Sequence, residues 1–154
     1  MEEPVNLRTL TWKKCGISED RRQELKYFAM QYQEKRHKTR KSSKRPPAED
    51  AQRLQRMESD VRMIEEAARA AAAAGGSPEA WKAVLVSITE DKGFQEMEAW
   101  AESKKTPLPW SQADFYAVRR GAFYTLDKLQ KIQSEKESLQ WTKDWKQLRS
   151  GSRS

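Results

Sequence analysis

The chain contains a single cysteine, a single histidine and no glycine-rich phosphate loop. Because Cys15 has no partner within the chain, an internal disulfide is impossible and a reducing compartment is the expected setting. Cys15 and His37 together are too few to form a zinc site. His37 also lies in a basic run, which is a poor place to hold a catalytic imidazole in register. We therefore expect a protein that is not an enzyme and that holds neither a metal nor a cofactor.

The chain also lacks long apolar runs. No stretch approaches the roughly eighteen apolar residues of a membrane span, and the first residues do not have the charged and apolar regions of a signal peptide. We therefore expect neither a membrane segment nor a signal peptide.

Positive charge is abundant but unevenly distributed. The 154 residues carry a formal charge of +7, and the isoelectric point is about 9.5. Residues 1–50 contain 13 Lys/Arg and 8 Asp/Glu, residues 51–110 contain 8 and 10, and residues 111–154 contain 9 and 5. A polyanionic partner is therefore expected to meet the two ends of the chain and not its middle.

The spacing of apolar residues predicts an all-α fold. We expect an irregular N-terminal segment over residues 1–17 and a helical hairpin, or one long helix, over residues 18–74. A unit of three helices resembling a helix-turn-helix domain is predicted over residues 78–132, followed by a Trp-containing helical tail over residues 133–154.

A basic linker is predicted over residues 35–47, ending at two prolines. Its first eleven residues, Lys35 to Arg45, contain seven Lys/Arg, no acidic residue and no large apolar side chain. Such a segment cannot bury enough surface to fold alone. It is either a solvated linker or a flexible arm that follows a phosphate backbone and becomes ordered on binding, and the second basic region of the chain favours the arm.

Residues 48–74 carry two interleaved heptad series. Leu54, Met57, Val61 and Ile64 form an apolar seam that is too hydrophobic to face water. This seam either packs on the first helix as an antiparallel hairpin or pairs with a second copy of the chain. We expect a homodimer through these four residues, because a regulator that reads paired half-sites benefits from two-fold symmetry.

The segment from residue 108 to residue 129 predicts an amphipathic helix with a basic face. Ser111 and Asp114 form a helix start of the capping-box type. Steps of about 100° per residue direct Phe115, Val118, Ala122 and Leu126 inward. The same count directs Ala113, Ala117, Arg120 and Tyr124 outward, with Tyr116 and Arg119 on the flanks. Arginine and tyrosine on an exposed helix face are suited to contacts with phosphates and base edges. The alternative is an amphipathic helix whose basic face is only solvated, and the rest of the chain favours the binding face.

Three segments resemble known proteins: ELKYFAMQYQEKR, MIEEAARAA and FYAVRRGAFYTLDKL. Together they resemble RinA/ArpU-like late-gene regulators of phages and prophages of Gram-positive bacteria, over roughly residues 22–35 and 60–130. The resemblance implies a C-terminal helix-turn-helix related to the promoter-reading region of sigma factors. In that pattern an aromatic pair, here Phe115 and Tyr116, precedes two basic residues, and a Leu-x-x-Leu motif ends the helix.

These observations predict a phage-type DNA-binding transcriptional regulator in the cytoplasm of a bacterial host. The alternative is a phage-encoded, non-enzymatic inhibitor or adaptor of the anti-defence type, such as an anti-CRISPR protein, that binds a host nucleoprotein complex. In that case the Trp-rich tail is the anchor on the partner. The predicted nucleic-acid-binding residues are Lys35, Arg36, Lys38, Arg40, Lys41, Lys44, Arg45, Gln112, Tyr116, Arg119, Arg120, Tyr124 and Lys128.

Overall fold

A computed structural model describes residue 7, residues 10–41 and residues 48–151 of the chain. The all-α prediction is confirmed, because these residues are largely helical and contain no strand. The helices are α1 (Glu19–Met30), α2 (Tyr32–Lys41), α3 (Ala48–Ala74), α4 (Trp81–Glu90), α5 (Phe94–Ser103) and α6 (Gln112–Gly151), with a short 3₁₀ turn (Pro78–Ala80) before α4.

The basic linker is helical in the part that the structure describes. α1 begins at Ser18, whose side chain accepts a hydrogen bond from Arg21 N–H, and ends at Gln31. α2 follows at once and extends to Lys41. The expectation of a flexible segment is therefore wrong for residues 35–41. The remainder of the predicted linker, including Lys44 and Arg45, lies outside the described residues.

α3 is the central helix and packs against α2, α4 and α6. Four alanines of its second half, Ala67, Ala68, Ala71 and Ala72, are fully or almost fully buried, and such small side chains allow neighbouring helices to approach closely. Of the predicted seam, Val61 and Ile64 are buried within the single chain, and Leu54 and Met57 are half-buried. Intramolecular packing thus covers much of the seam, so its hydrophobicity alone no longer argues for a dimer.

α3 ends at two glycines, each of which is required for a different structural reason. Gly76 adopts a φ of +83°, a left-handed conformation that L side chains rarely adopt. Gly75 allows close approach, because a Cβ added there would lie 2.6 Å from Val118 Cγ2 and 3.0 Å from Trp110 Nε1. Trp110 Nε1 also donates a hydrogen bond to Gly75 O at 3.0 Å. This turn therefore fixes the end of α3 against the beginning of α6.

The order α4, α5, α6 agrees with the predicted three-helix unit, and the local start and stop signals are present. Asp91 ends α4 in the left-handed conformation, and Ser111 Oγ accepts a hydrogen bond from Asp114 N–H at 3.3 Å. A long connection, residues 104–111, separates α5 from α6. α6 also extends far beyond the predicted unit. The helix-turn-helix geometry is thus not established by the order of the helices.

The N-terminal segment packs on α6. Leu7, Cys15 and Ile17 are buried, and the ring centroid of Trp12 lies 6.2 Å from that of Phe123. Burial in this position raises the pKa of the Cys15 thiol. The N-terminal segment therefore covers one side of α6 that was predicted to be exposed.

The tail is part of α6 and not a separate helix. No glycine or proline occurs between Gly121 and Gly151, so the helix continues through the Trp-containing segment. Residues 152–154 lie outside the described residues. In the described part of the chain, no helix is both long enough and apolar enough to span a membrane.

Candidate nucleic-acid interface

α2 and α3 form an antiparallel hairpin held by two polar contacts. Tyr32 Oη donates to Glu65 Oε1 at 2.6 Å, and Lys35 Nζ lies 2.9 Å from Asp60 Oδ2. Burial, followed by the hydrogen bond and the charge of Glu65, raises the pKa of Tyr32 to about 12. Both ionic groups of the Lys35–Asp60 pair are largely shielded from solvent, with side chains 16% and 20% exposed. These contacts join α2 to α3 along the inward face of the hairpin.

The first two predicted arm residues serve the fold. Lys35 Nζ lies over the Phe28 ring, 4.4 Å from its centroid, in addition to its pairing with Asp60. Arg36 donates from Nη1 to Tyr32 Oη at 3.2 Å and is half-buried. These two cations therefore face the hairpin and offer little to an external ligand.

The following cations face outward. Lys38 is exposed and pairs with Glu34 at 2.8 Å, one turn earlier on the same helix. Arg40 is exposed near the end of α2. Lys41 is the last residue of α2. Its side chain and the residues Lys44 and Arg45 lie outside the described part of the chain.

Two further cations at this end of the hairpin were missed by the sequence analysis. Because Lys35 pairs with Asp60 and the helices are antiparallel, Arg40 lies level with the α3 segment that carries Arg53 and Arg56. Both arginines are exposed. We call residues 38–56 the hairpin tip. They contain seven Lys/Arg and two acidic residues.

The predicted basic face of α6 is engaged in intramolecular contacts. Arg119 Nη2 lies 2.7 Å from Asp91 Oδ1, and Lys26 Nζ lies 2.9 Å from Asp91 Oδ2. Burial opposes ionisation of Asp91, but the hydrogen bonds from Lys26 and Arg119 outweigh it and lower the pKa of this carboxyl. Arg119 thus links α6 to the turn after α4.

Neighbouring segments also contact Arg120 and Ala117, which were predicted to face outward, and Tyr116, which was predicted to lie on a flank. Arg120 is half-buried and donates from Nε to Leu10 O at 3.1 Å, because the N-terminal segment lies on this side of the helix. Tyr116 Oη accepts a hydrogen bond from Phe94 N–H at 3.2 Å. Ala117 was expected to face solvent but is 1% exposed. Packing of other segments on both flanks of α6 explains these differences.

Three predicted residues of α6 remain at or near the surface. Gln112 is exposed at the first position of the helix, and Lys128 is exposed with its Nζ 4.2 Å from the centroid of the half-buried Tyr124 ring. Gln112 and Lys128 are about 24 Å apart along the helix axis. They do not form one continuous basic surface.

An open cleft lies between the first half of α3 and α6, and it has mixed charge. Its lining combines cations such as Arg21 and Arg62 with the acidic side chains of Asp60, Glu135 and Glu137. A polyanion would meet carboxylates in this cleft, which Arg56 also lines. Among the described side chains of the hairpin tip, the exposed charges are mainly cations: Lys38, Arg40, Arg53 and Arg56 against Asp50. Among the described residues, no group of three or more His, Cys, Asp or Glu could hold a metal ion.

The chain matches no protein-family model, no curated protein and no solved structure.

Replacement of both Arg119 and Arg120 by alanine should affect the fold more than ligand binding. We expect the free energy of unfolding to fall by about 1–3 kcal/mol, because Asp91 and Leu10 O lose partly buried partners. Urea denaturation and binding to a labelled 30-base-pair duplex measure the two effects.

The matched control is Arg40→Ala with Arg53→Ala, which removes the same charge from exposed positions. This control should retain stability within about 0.5 kcal/mol and lose affinity. If the Arg119/Arg120 variant binds the duplex more weakly and the Arg40/Arg53 variant binds it as the parent does, the nucleic-acid interface lies on α6.

Proposed function

We propose that this protein is a non-enzymatic nucleic-acid-binding protein whose contact surface is the hairpin tip. One observation carries the proposal: Arg40, Arg53 and Arg56 are exposed at the same end of the hairpin. Arg56 makes only an exposed ion pair with Glu137 at 3.6 Å, whereas Arg119 and Arg120 make partly buried contacts within the fold. Arginine guanidinium groups pair with phosphate oxygens in a bidentate manner.

The charge of the hairpin tip supports a polyanion as the ligand. Its seven Lys/Arg residues against two acidic residues give a local excess of five positive charges within nineteen positions. Neutralisation of phosphates by such a cluster releases condensed counterions, and this release supplies most of the free energy of binding to the nucleic-acid backbone.

The proposed mode is contact with the phosphate backbone of a duplex and not base reading by α6. The side chains suited to base edges, Arg119 and Arg120, are occupied by Asp91 and by Leu10 O. The transcriptional role implied by the phage-regulator resemblance remains part of this proposal in a restricted form. In that form the protein affects transcription through the shape of the DNA or through its own occupation of the DNA. A homodimer would double its phosphate contacts.

The salt dependence of binding tests the proposal. The equilibrium association constant of the full chain for a mixed-sequence 30-base-pair duplex should fall about 10²–10³-fold between 50 and 200 mM NaCl, as expected for four to five neutralised phosphates. Fluorescence anisotropy at five salt concentrations gives the slope of log K against log salt.

Absence of saturable binding at 50 mM NaCl would contradict the proposed function. A randomised duplex pool should yield no converged motif after repeated selection. Convergence on a motif would contradict the backbone-contact mode and favour a base-reading regulator.

A further inference from the structure

Two tryptophans near the end of α6 form a parallel pair of exposed rings. Trp141 and Trp145 are 66% and 52% exposed, their ring centroids are 5.9 Å apart and their planes differ by 8°. Leaving so much indole surface in water is unfavourable unless a ligand covers it. Flat rings in parallel planes can also continue their stack onto a further planar ring. We call Trp141 and Trp145 the indole platform.

The space beside the indole platform suits a short ligand. Positions eighteen residues apart on a helix point in one direction, so Trp145 continues the face of Asp127. Nearer the body this face is covered, because Arg21 binds both Asp127 and Gln130. About 16 Å of helix separate Gln130 from Trp141. A long helix laid along this face would meet α1, whereas a ligand of two or three stacked rings would not.

α3 and α6 run antiparallel and stay level with each other over about 28 Å. At one end, Gly75 lies so close to Val118 that an added Cβ would be 2.6 Å from Cγ2. At the other end, Arg56 Nη2 lies 3.6 Å from Glu137 Oε2. Nineteen positions separate these two contacts on each helix. Each residue of α3 near the hairpin tip can therefore be matched with a residue of α6 at the same level.

This register places the indole platform beside the hairpin tip. Arg53 is level with residue 140, directly before Trp141. Glu137, which pairs with Arg56, lies one helical turn before Trp141 and about 40° from it around α6. Both arginines are exposed. Two cations of the hairpin tip and two parallel indole rings thus lie at the same end of the molecule.

Exposed aromatic rings next to arginines are the combination that binds single-stranded nucleic acid. The cations hold the phosphate backbone, and unpaired bases stack on the rings whatever their identity, because every base has a flat face. Within a duplex the bases already stack on one another and do not offer these faces. The ligand of the indole platform is therefore expected to be unpaired bases.

The carboxylates near the indoles separate the two kinds of contact. Glu137 precedes Trp141 by one turn, and Asp144, which accepts a hydrogen bond from Gln140 Nε2 at 3.0 Å, follows it by about one turn. Negative charge at these positions repels phosphates but not the uncharged bases. Phosphates are therefore expected at Arg53 and the other cations of the hairpin tip, and bases at the indoles.

We propose that the indole platform is a stacking site for unpaired bases that adjoin a duplex bound at the hairpin tip. The inference rests on the proposed function, because the cations of the hairpin tip hold the adjoining phosphates. It names the junction between a duplex and a single strand as the preferred ligand of the protein.

Three forms of one 14-base-pair DNA duplex test the stacking site. The first is blunt, the second carries five unpaired nucleotides of mixed sequence, and the third carries five abasic nucleotides. Extensions at the 5′ and 3′ ends are placed on separate duplexes. At 50 mM NaCl, the base-containing extension at one of these ends should raise the association constant of the full chain about tenfold or more, because stacked bases contribute substantially to binding. The abasic extension adds the same phosphates and should change the constant by less than about threefold.

Replacement of Trp141 and Trp145 by alanine should abolish the tenfold increase and leave binding to the blunt duplex within about twofold of the parent. The matched control is Leu139→Ala, which removes a side chain that is 62% exposed on the opposite side of α6 and should retain the increase. Both variants should unfold as cooperatively as the parent, because the replaced side chains are exposed. The base-containing extension should also quench tryptophan fluorescence, and the double variant should lose this quenching.

The outcomes separate the stacking site from the proposed function. An equal effect of the two extensions, no effect of either, or an increase retained by the double Trp variant would overturn the stacking site while the blunt duplex still binds. A smaller mass of the Trp variant in sedimentation equilibrium, with no effect of the extension, would identify the indole platform as a protein interface instead. Absence of binding to the blunt duplex would contradict the proposed function and remove the basis of this inference.

Discussion

Replacement of Phe115 by alanine is expected to lower the free energy of unfolding by about 3–5 kcal/mol, through lost apolar burial and the cavity that remains. The Phe115 side chain is 1% exposed. Its ring centroid lies 5.7 Å from that of Phe94 and 5.4 Å from that of Tyr116. It therefore connects α6 to α5, and its loss should lower Tm by roughly 10 °C or more in a chain of this length.

Two neighbouring substitutions serve as controls for Phe115→Ala. Phe115→Leu retains most of the buried volume and should cost less than about 2 kcal/mol. Tyr116→Phe removes only the hydroxyl that accepts from Phe94 N–H and should cost about 1 kcal/mol. A loss below 1 kcal/mol for Phe115→Ala in urea denaturation would mean that this ring does not lie in the core.

Replacement of Asp127 by asparagine should be the most destabilising polar change. Asp127 is 3% exposed, and its carboxylate lies 2.8 Å from Arg21 Nε and 2.9 Å from Lys131 Nζ. It thereby ties α1 to α6. A neutral amide leaves the partly buried Arg21 with only the exposed Glu24 as a counter-charge, so we expect a loss of about 2–4 kcal/mol. Glu24→Gln removes the exposed acid on the same arginine and should cost less than about 0.5 kcal/mol.

The effect of Asp127→Asn should depend on pH. Burial opposes ionisation of Asp127, but the hydrogen bonds from Arg21 and Lys131 outweigh it, so the pKa is lower in the folded chain than in the unfolded chain. The carboxylate therefore contributes its full stability above the unfolded pKa of about 4 and loses it as the pH falls through the folded pKa.

Urea denaturation between pH 2 and pH 7 measures this dependence. The difference between the parent and Asp127→Asn should be largest near neutral pH and should narrow below pH 4. Asp91, whose pKa is also lowered, keeps part of the acid dependence in the variant. A constant difference across the whole range would contradict the assignment of Asp127 as a stabilising buried carboxylate.

Local signals made much of the fold predictable. The hydroxyls of Ser18 and Ser111 cap α1 and α6 through contacts with residues three positions later, and the turn at Asp91 follows from neighbouring residues. The apolar stripe of Phe115, Val118, Ala122 and Leu126 is buried as its period required. These features depend on sequence distances of a few residues, which a pattern can capture.

Contacts between distant segments explain what the sequence analysis missed. α2 is highly charged, yet Glu65 and Asp60 pair with Tyr32 and Lys35 from another helix and fix it in place. Ala117 is buried although a single helical wheel directs it outward, because α6 packs on more than one side. Composition and periodicity of one segment carry no information about such partners.

Only part of the candidate interface could be predicted from the sequence. Arg40 belongs to an obvious basic run, but Arg53 and Arg56 lie in a segment whose average charge is negative. The antiparallel hairpin brings them to the same end as Arg40, and segment averages conceal this arrangement. The available signal was a pair of arginines three positions apart near the start of a predicted helix that follows a basic run.

The central claim, that the hairpin tip is the nucleic-acid interface, is tested most directly by comparing two triple variants of equal net charge. The first replaces Arg40, Arg53 and Arg56 by glutamine. The second replaces Lys13, Lys82 and Lys104, exposed lysines outside the hairpin, by glutamine. Anisotropy titrations against the same 30-base-pair duplex at several salt concentrations give affinity and salt slope for both variants and the parent.

The first variant should lose about tenfold or more in affinity at 100 mM NaCl, and its salt slope should become about 2–3 units shallower, since up to three phosphate contacts disappear. The second variant should retain the parent slope and bind within about threefold of the parent. An unchanged slope in the first variant, or an equal loss in both, would contradict a localised interface at the hairpin tip.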